Sequence, residues 1–373
     1  MRAPPPDARP AVAVFRAPLF NPSETFVRSH LAALRRYRPV AVGLVAKGET
    51  DFPRFLLSPG ERLALTLLGR ADRAAARLRA QAPALVHAHF GTDGLLALPL
   101  AERLRVPLVT TLHGHELSRT RARKLASGRL SWMRYALLER RLIERGGLFL
   151  AVSEAIRGRA LAAGYPDARV ITHLNGVDTD FFRPSGAPPE PGLILHVGRL
   201  VEKKGTAALV QAAARTEGAK LVVVGDGPLR PSLERQARGL GLDARFTGAL
   251  PPAEVLGWMQ RAWVLAAPSV TAGDGDAEGL PTVLCEAAAA GLPVVATRHS
   301  GIPEAVSEGE TGLLSPEGDV GVLARNLSLL LSSPRMRESF AAAARLRALD
   351  RFDLARQTER LEGYYDFLTG RNG

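Results

Sequence analysis

Cysteine is almost absent from this 373-residue chain. Cys285 stands alone, so neither an intramolecular disulfide framework nor a cysteine-built zinc site can hold the fold. Aromatic residues are sparse too, at 6%, and no base-stacking motif interleaves them with cations, which weighs against a reader of nucleic acid. No apolar run approaches the roughly 18 residues of a membrane span. The opening Met1 to Pro10 is polar and proline-rich, without the apolar core of a signal peptide. The expectation is a cytoplasmic protein held together by packing. Internal repeats at a period of about 20 to 50 residues are missing as well. What is there, 46% apolar and 23% charged residues, is a globular composition. At about 150 residues per domain the length suits two domains, each with its own core.

Charge is unevenly spread. Up to Arg183 there are 29 basic and 15 acidic residues, and beyond it 20 and 22, so the halves carry +14 and −2. A basic half suggests an anionic partner, with nucleic acid and an acidic membrane surface the two usual candidates. The densest stretch, Arg119 to Arg145, sets nine cations against Glu139 and Glu144 and spaces Leu130, Met133, Leu137 and Leu138 at helical intervals beside Trp132. It reads as a basic amphipathic helix, which either lies on anionic lipid or packs between elements with a solvated basic face.

Short apolar runs at Ala11–Phe15, Val40–Val45, Leu85–His89, Leu108–Leu112 and Leu148–Val152 alternate with helix-length segments. This is the pattern of buried parallel strands with crossover helices. After Phe182 the Pro/Gly-rich stretch through Gly192 fits neither element, and then the pattern restarts at Leu193–Val197, Lys220–Gly225, Trp263–Ala267 and Val294–Ala296. The expected fold is therefore α/β, two doubly wound parallel-sheet domains in tandem. They divide as 1–184, a linker at 185–191, and 192–352, with a closing helix in 353–373 that packs back on the first domain.

In such sheets ligands bind at the carboxyl ends of strands, and phosphate is favoured where a helix begins. Glu278-Gly279-Leu280-Pro281-Thr282-Val283-Leu284-Cys285-Glu286 follows a Gly/Asp-rich loop, and Pro281 is placed to open a helix. The N–H groups of Gly279 through Val283 could meet phosphate and sugar oxygens, with Glu278 just ahead of the helix and Glu286 inside it; carboxylates accept from vicinal sugar hydroxyls. Gly198-Arg199 and Lys204 follow a strand end, where two cations could neutralise a departing diphosphate or could simply be solvated. Gly225-Asp226-Gly227-Pro228 is a tight turn that could bring backbone close to a ligand. In the first half His113-Gly114 emerges directly from a strand, making His113 the first candidate there. His87, His89, His113, His115 and Glu116 also raise a metal site, but no His-x3-His helix pair supports one, and none is assigned.

These pieces, with His87-Ala88-His89-Phe90-Gly91, Val152-Ser153-Glu154, Asn175 through Phe182 and Ala267-Pro268-Ser269, resemble the family-4 retaining glycosyltransferases of the GT-B fold. The resemblance implies two Rossmann-like domains facing a central cleft, with the nucleotide diphosphate sugar held by the second and the acceptor met by the first. It further implies that Arg199 and Lys204 bind the diphosphate, Glu278 faces the donor sugar, Glu286 takes the ribose hydroxyls, and His113 sits near the reacting carbon. Configuration would be retained without a metal ion, and no cofactor beyond the donor, a UDP- or GDP-sugar, is implied. Ser23-Glu24-Thr25-Phe26 resembles a motif of members that build surface glycans, so the expected acceptor is a glycan or lipid-linked sugar in bacterial polysaccharide synthesis. Two features depart from the pattern: Arg16 to Pro22 replaces a glycine-rich first loop, and Glu116 stands where many relatives carry aspartate. The competing readings are a sugar-nucleotide epimerase or small-glycoside synthase of the same fold and, from another class, a basic nucleic-acid-binding protein.

Overall fold

The computed structural model describes residues 8–21, 24–48 and 52–371. Ser23 of the surface-glycan motif lies outside them. The chain divides into two compact units, one formed by residues 1–152, 156–173 and 355–373 and the other by 153–155 and 174–354.

The first unit contains β1 (Ala11–Phe15), β2 (Pro18–Leu19), β3 (Arg38–Gly43), β4 (Val45–Ala46), β5 (Arg54–Leu56), β6 (Pro83–His89), β7 (Leu108–Leu112), β8 (Leu148–Ala151) and β9 (Val170–Thr172). Seven of these form one sheet in the order β5-β3-β1-β6-β7-β8-β9, while β2 and β4 pair apart from it. Every pairing in it is parallel. Central strands such as β1 and β7 are buried at all five positions, which is why they read as unbroken apolar runs. The helix Leu354–Thr369 belongs to this unit: Leu361 and Tyr365 enter the core beside Val12, Val14 and Tyr37. Its Glu362 carboxylate accepts the N–H groups of Arg35, Arg36 and Tyr37.

The second unit repeats the plan with β10 (Leu193–Val197), β11 (Lys220–Val224), β12 (Asp243–Gly248), β13 (Val264–Ala267), β14 (Val294–Thr297) and β15 (Gly312–Ser315), ordered β12-β11-β10-β13-β14-β15. Its pairings are parallel as well.

Two expectations need correction. Apart from residues 153–155, the second unit begins at Leu174, ahead of the Pro/Gly-rich segment. Val177 bridges to Asp353, and Arg345 donates to the carbonyls of Thr179 and Phe182, so this stretch is held there before the chain reaches Pro184. The basic stretch is not one helix. It breaks into His115–Ser118, Arg121–Leu125 and Leu130–Arg145. Thr120 caps the second piece, and Gly128, at φ +66°, turns the chain before the third in a left-handed conformation that suits glycine.

That third helix packs with a face other than the leucine row. Trp132, Tyr135, Ala136 and Leu142 are buried, whereas Leu130, Met133, Leu137 and Leu138 are exposed. Arg134 of the same helix donates to the carbonyls of Leu65 and Thr66, latching it to the end of the helix Pro59–Leu68, which exposes Leu63, Leu67 and Leu68.

Candidate donor site and histidine cluster

The carboxyl end of β10 runs through Gly198 and Arg199 into a single turn, Glu202–Lys204, and Gly205 starts the helix Thr206–Ala214. Gly205 has φ +64° and its Cβ position lies 1.8 Å from the Pro268 carbonyl, so only glycine fits there. This tight corner sends Lys204 back over the strand end, and its Nζ lies 2.9 Å from Oε1 of Glu278. The neighbouring Lys203 pairs with Asp276 at 3.4 Å. Glu278 is buried. Burial alone would raise its pKa, but the Lys204 and Lys203 charges outweigh it, and the carboxyl lies below its ordinary value. The backbone of Glu278 is fixed by His299, whose Nε2 accepts the Glu278 N–H at 3.1 Å while Nδ1 meets Glu317 at 2.6 Å.

Arg199 is exposed at the same strand end and has no ion-pair partner among the described residues. Gly279 accepts from the Gly301 N–H. Leu280 and Pro281 are buried, and the helix Thr282–Ala289 starts directly after them, with Thr282 and Val283 in its first turn. First-turn N–H groups have no intrahelical acceptor and carry the positive end of the helix dipole. Glu286, partly buried in this helix, has a carboxyl pushed up to about 7 by burial, which Lys204 offsets in part. Lys204, Glu278 and Glu286 are thus brought together electrostatically.

The remaining glycines serve this corner from behind. The Gly225 Cβ position falls 1.9 Å from the Gly198 carbonyl, and that of Gly227 2.5 Å from the Leu200 carbonyl. They let the loop after β11 lie directly on the loop after β10. Gly198 in turn leaves room for the Lys204 stem, 3.3 Å away.

In the first unit His113 follows β7 and lies between Phe26 and Phe90, with ring centroids 4.5 and 4.4 Å away. Glu116 holds its backbone: Oε1 accepts the N–H groups of His113 at 3.2 Å and Gly91 at 2.9 Å. One carboxylate therefore joins the loops after β6 and β7. The longer arm of glutamate reaches both amides.

Sequence reasoning missed Arg16. Its guanidinium takes both oxygens of Glu24 at 2.7 and 2.8 Å and Asp93 at 2.6 Å, and it lies over the Phe90 ring. Burial lowers its pKa, but Asp93 and Glu24 more than reverse that. The loop after β1 therefore spends its cation on two carboxylates.

Sequence reasoning also missed a chain of side chains. Thr111 Oγ1 lies 2.7 Å from His87 Nε2, and His87 Nδ1 meets the Tyr365 hydroxyl. Tyr365 is 3.0 Å from His30 Nε2, His30 Nδ1 is 3.0 Å from His89 Nε2, and His89 Nδ1 is 3.2 Å from His113 Nε2. Nitrogens of His30, His87 and His89 fall within 4.8 Å of one another, spacing that would suit a metal ion, but both nitrogens of each ring are taken by these hydrogen bonds. The one clue in the sequence was His87 and His89 two apart, on one face of a strand.

Two family models match successive parts of the chain, overlapping at 177–181: "Glycosyltransferase Family 4" over residues 23–181 and "Glycosyl transferases group 1" over 177–347. An amylovoran biosynthesis glycosyltransferase, AmsK of Erwinia amylovora, is 31% identical over 345 residues, covering 84% of this chain and 81% of its own. The chain belongs to glycosyltransferase family 4. This family-4 chain also matches the WcaL protein of Escherichia coli K12, named for colanic acid biosynthesis, at 35% identity over 251 residues, but spans only 60% of that relative's length. Among solved structures, Anabaena HepE in complex with UDP superposes with a TM-score of 0.79 at 20% identity, covering 96% of this chain and all of HepE. The fold of this family-4 member is GT-B. No helix among its described residues is long and apolar enough to cross a membrane.

Proposed function

We propose that the protein transfers a hexose from a nucleotide diphosphate sugar to a glycan or lipid-linked acceptor in bacterial surface-polysaccharide synthesis, with retention of configuration and without a metal ion. The observation that carries this is the pair of Lys204 and the buried Glu278, together with Arg199, which has no ion-pair partner among the described residues, at a strand end next to the start of the Thr282 helix. Arg199 offers planar bidentate contacts to the diphosphate, and Lys204, held in place by Glu278, adds a second charge. The first-turn N–H groups of Thr282 and Val283 complete a positive field aimed at the leaving group. As the diphosphate departs, the sugar gains oxocarbenium character, and the acceptor hydroxyl attacks from the same face, giving its proton to a phosphate oxygen. In the second unit Glu278 faces the sugar and Glu286 accepts from the ribose hydroxyls; in the first unit His113 is the residue that meets the substrate. The names of HepE's ligand and of AmsK's product pathway support a nucleotide-sugar donor and an exopolysaccharide product.

Calorimetric titration with UDP, GDP and ADP, with and without magnesium, tests the donor site. One nucleotide should bind at micromolar level, equally without magnesium, and more weakly to Arg199→Ala. Because the Glu286 carboxyl titrates at about 7 and accepts hydroxyls best when ionised, affinity should rise from about pH 6 to pH 8. Glu286→Gln should flatten that part of the profile, separating it from titration of the nucleotide itself. No binding by any nucleotide would defeat the donor assignment. Product analysis with and without added acceptor separates a transferase from an epimerase.

The peripheral surface of the first unit favours an anionic membrane as a further partner. The exposed row Leu130, Met133 and Leu137 lies on one helix and Leu63, Leu67 and Leu68 on the one latched to it by Arg134, with Arg129, Arg140 and Arg145 exposed around the first. Shallow apolar insertion and cation attraction reinforce one another on such a surface. In flotation, phosphatidylglycerol vesicles should carry the protein and phosphatidylcholine vesicles should not. Leu67→Asp with Leu137→Asp should abolish it. Equal flotation on both lipids, or none at low salt, would retire this reading, as would loss of the exposed face through self-association.

A further inference from the structure

The hydrogen-bonded chain Thr111–His87–Tyr365–His30–His89–His113 has a direction, and the direction determines what His113 offers a ligand. Burial lowers the pKa of every imidazole in it. His30 and His113 fall to about 3 and His87 and His89 well below the ordinary value, so all four rings are neutral at pH 7 and each holds one N–H. The six groups then carry six hydrogens, while the five contacts between them consume five. One hydrogen is left at an end. If the bonds run toward Thr111, the spare hydrogen is its hydroxyl proton, in a side chain only 4% exposed whose other neighbours offer it no hydrogen bond. Burying an unmet donor costs about 1 to 3 kcal/mol. If they run toward His113, the spare hydrogen sits on Nδ1 of a partly exposed ring, and no described residue pairs with that nitrogen. A tyrosine accepting from both histidines fares no better, since its own proton would then be stranded in the core.

We infer that the chain runs from Thr111 to His113 and fixes the His113 imidazole as its Nδ1–H tautomer, so that His113 presents a hydrogen-bond donor to an oxygen of the bound substrate and is not a proton acceptor there. His89 and Tyr365 are positioning residues for that donor. Tyr365 lies on the closing helix of the chain and acts through three intervening contacts. This rests on the reading that His113 lines the site. Given that reading, the oxygen it meets belongs to a sugar hydroxyl or a phosphate, both of which accept.

The test is a long-range proton–nitrogen spectrum of the full-length protein with 15N-labelled histidine at neutral pH, the His113 signals being assigned by their loss in His113→Ala. The expected result is a protonated Nδ1 and a bare Nε2. A proton on Nε2 overturns the inference. Tyr365→Phe leaves His30 Nε2 unpaired in either direction and so removes the bias; His113 should then populate both tautomers, and kcat should fall about fivefold with little change in donor KM. If that variant fails to fold, Thr111→Val removes the bias at the other end, and Thr111→Ser should restore it. A single unchanged tautomer in both disrupting variants also overturns the inference. Full transfer by His113→Ala would defeat the site reading and leave the tautomer result standing.

Discussion

Lys204→Met should lower the transfer rate by at least about 100-fold, because a preorganised cation at a developing negative charge contributes about 3 kcal/mol or more. It should also unsettle the site without substrate. Glu278 is buried and owes its low pKa chiefly to Lys204; without that charge, burial governs and the carboxyl moves above its ordinary value. In the wild-type chain the depressed carboxyl binds fewer protons folded than unfolded below its ordinary value. The pair's stabilisation is therefore present above that value and fades as pH falls through the folded pKa. Lys204→Met loses it at neutral pH, and its melting temperature should drop accordingly. Arg199→Ala provides the contrast, since Arg199 is exposed and unpaired. It should cost a similar factor in rate with no change in melting. Turnover near wild type in either variant would remove that residue from the mechanism.

The largest effect on stability is expected at Arg16. It is the cation shared by Glu24 and Asp93, and Asp93 is only 3% exposed. Arg16→Met strands both carboxylates in the first unit, a loss of about 3 to 5 kcal/mol when one partner of a buried pair is removed. Urea unfolding at neutral pH should show it as a lower midpoint. Burial already raises the Asp93 carboxyl; without Arg16 it holds its proton in the folded state at pH values where the unfolded chain has released it, so the deficit should shrink as pH falls toward about 5. Arg16→Met combined with Asp93→Asn should recover part of the loss, because an amide removes one buried charge. An unchanged midpoint in the single variant would mean that the triad contributes nothing to folding.

Within the two main sheets four strands escaped the reading of the sequence, β5, β9, β12 and β15, and they are the outer strands. For β5 and β12 the physical reason is exposure, whereas β9 and β15 are short strands of three and four residues. A strand buried on both faces must be apolar throughout, as β1 and β7 are, whereas an outer strand meets water along one side and mixes its residues. Arg54-Phe55-Leu56 is exposed at both ends, and Asp243 to Phe246 alternates exposed and partly buried positions. The donor corner was more legible because its parts lie close in sequence, each at the end of an apolar run. Glycine roles were less so. Gly225 and Gly227 read as letting the backbone approach a ligand; the structure adds that their missing side chains make room for other backbone. The Arg16 triad joins residues 77 apart, and the histidine chain joins His30 to Tyr365. No local periodicity marks such pairs; only the sheet order, which sets β1 beside β6, brings Arg16 and Asp93 together.

The return of residues 355–373 to the first unit affects the order in which a ribosome can complete the molecule. The second unit is interrupted only at its edge and has all its chain available once Leu354 has been made. The first unit waits. Until residues 361–365 emerge, the N–H groups of Arg35, Arg36 and Tyr37 lack the Glu362 carboxylate, and the apolar surface around Val12 and Val14 lacks Leu361 and Tyr365. The half synthesised first is thus the half that finishes last, with its core open for the whole time its neighbour is being built.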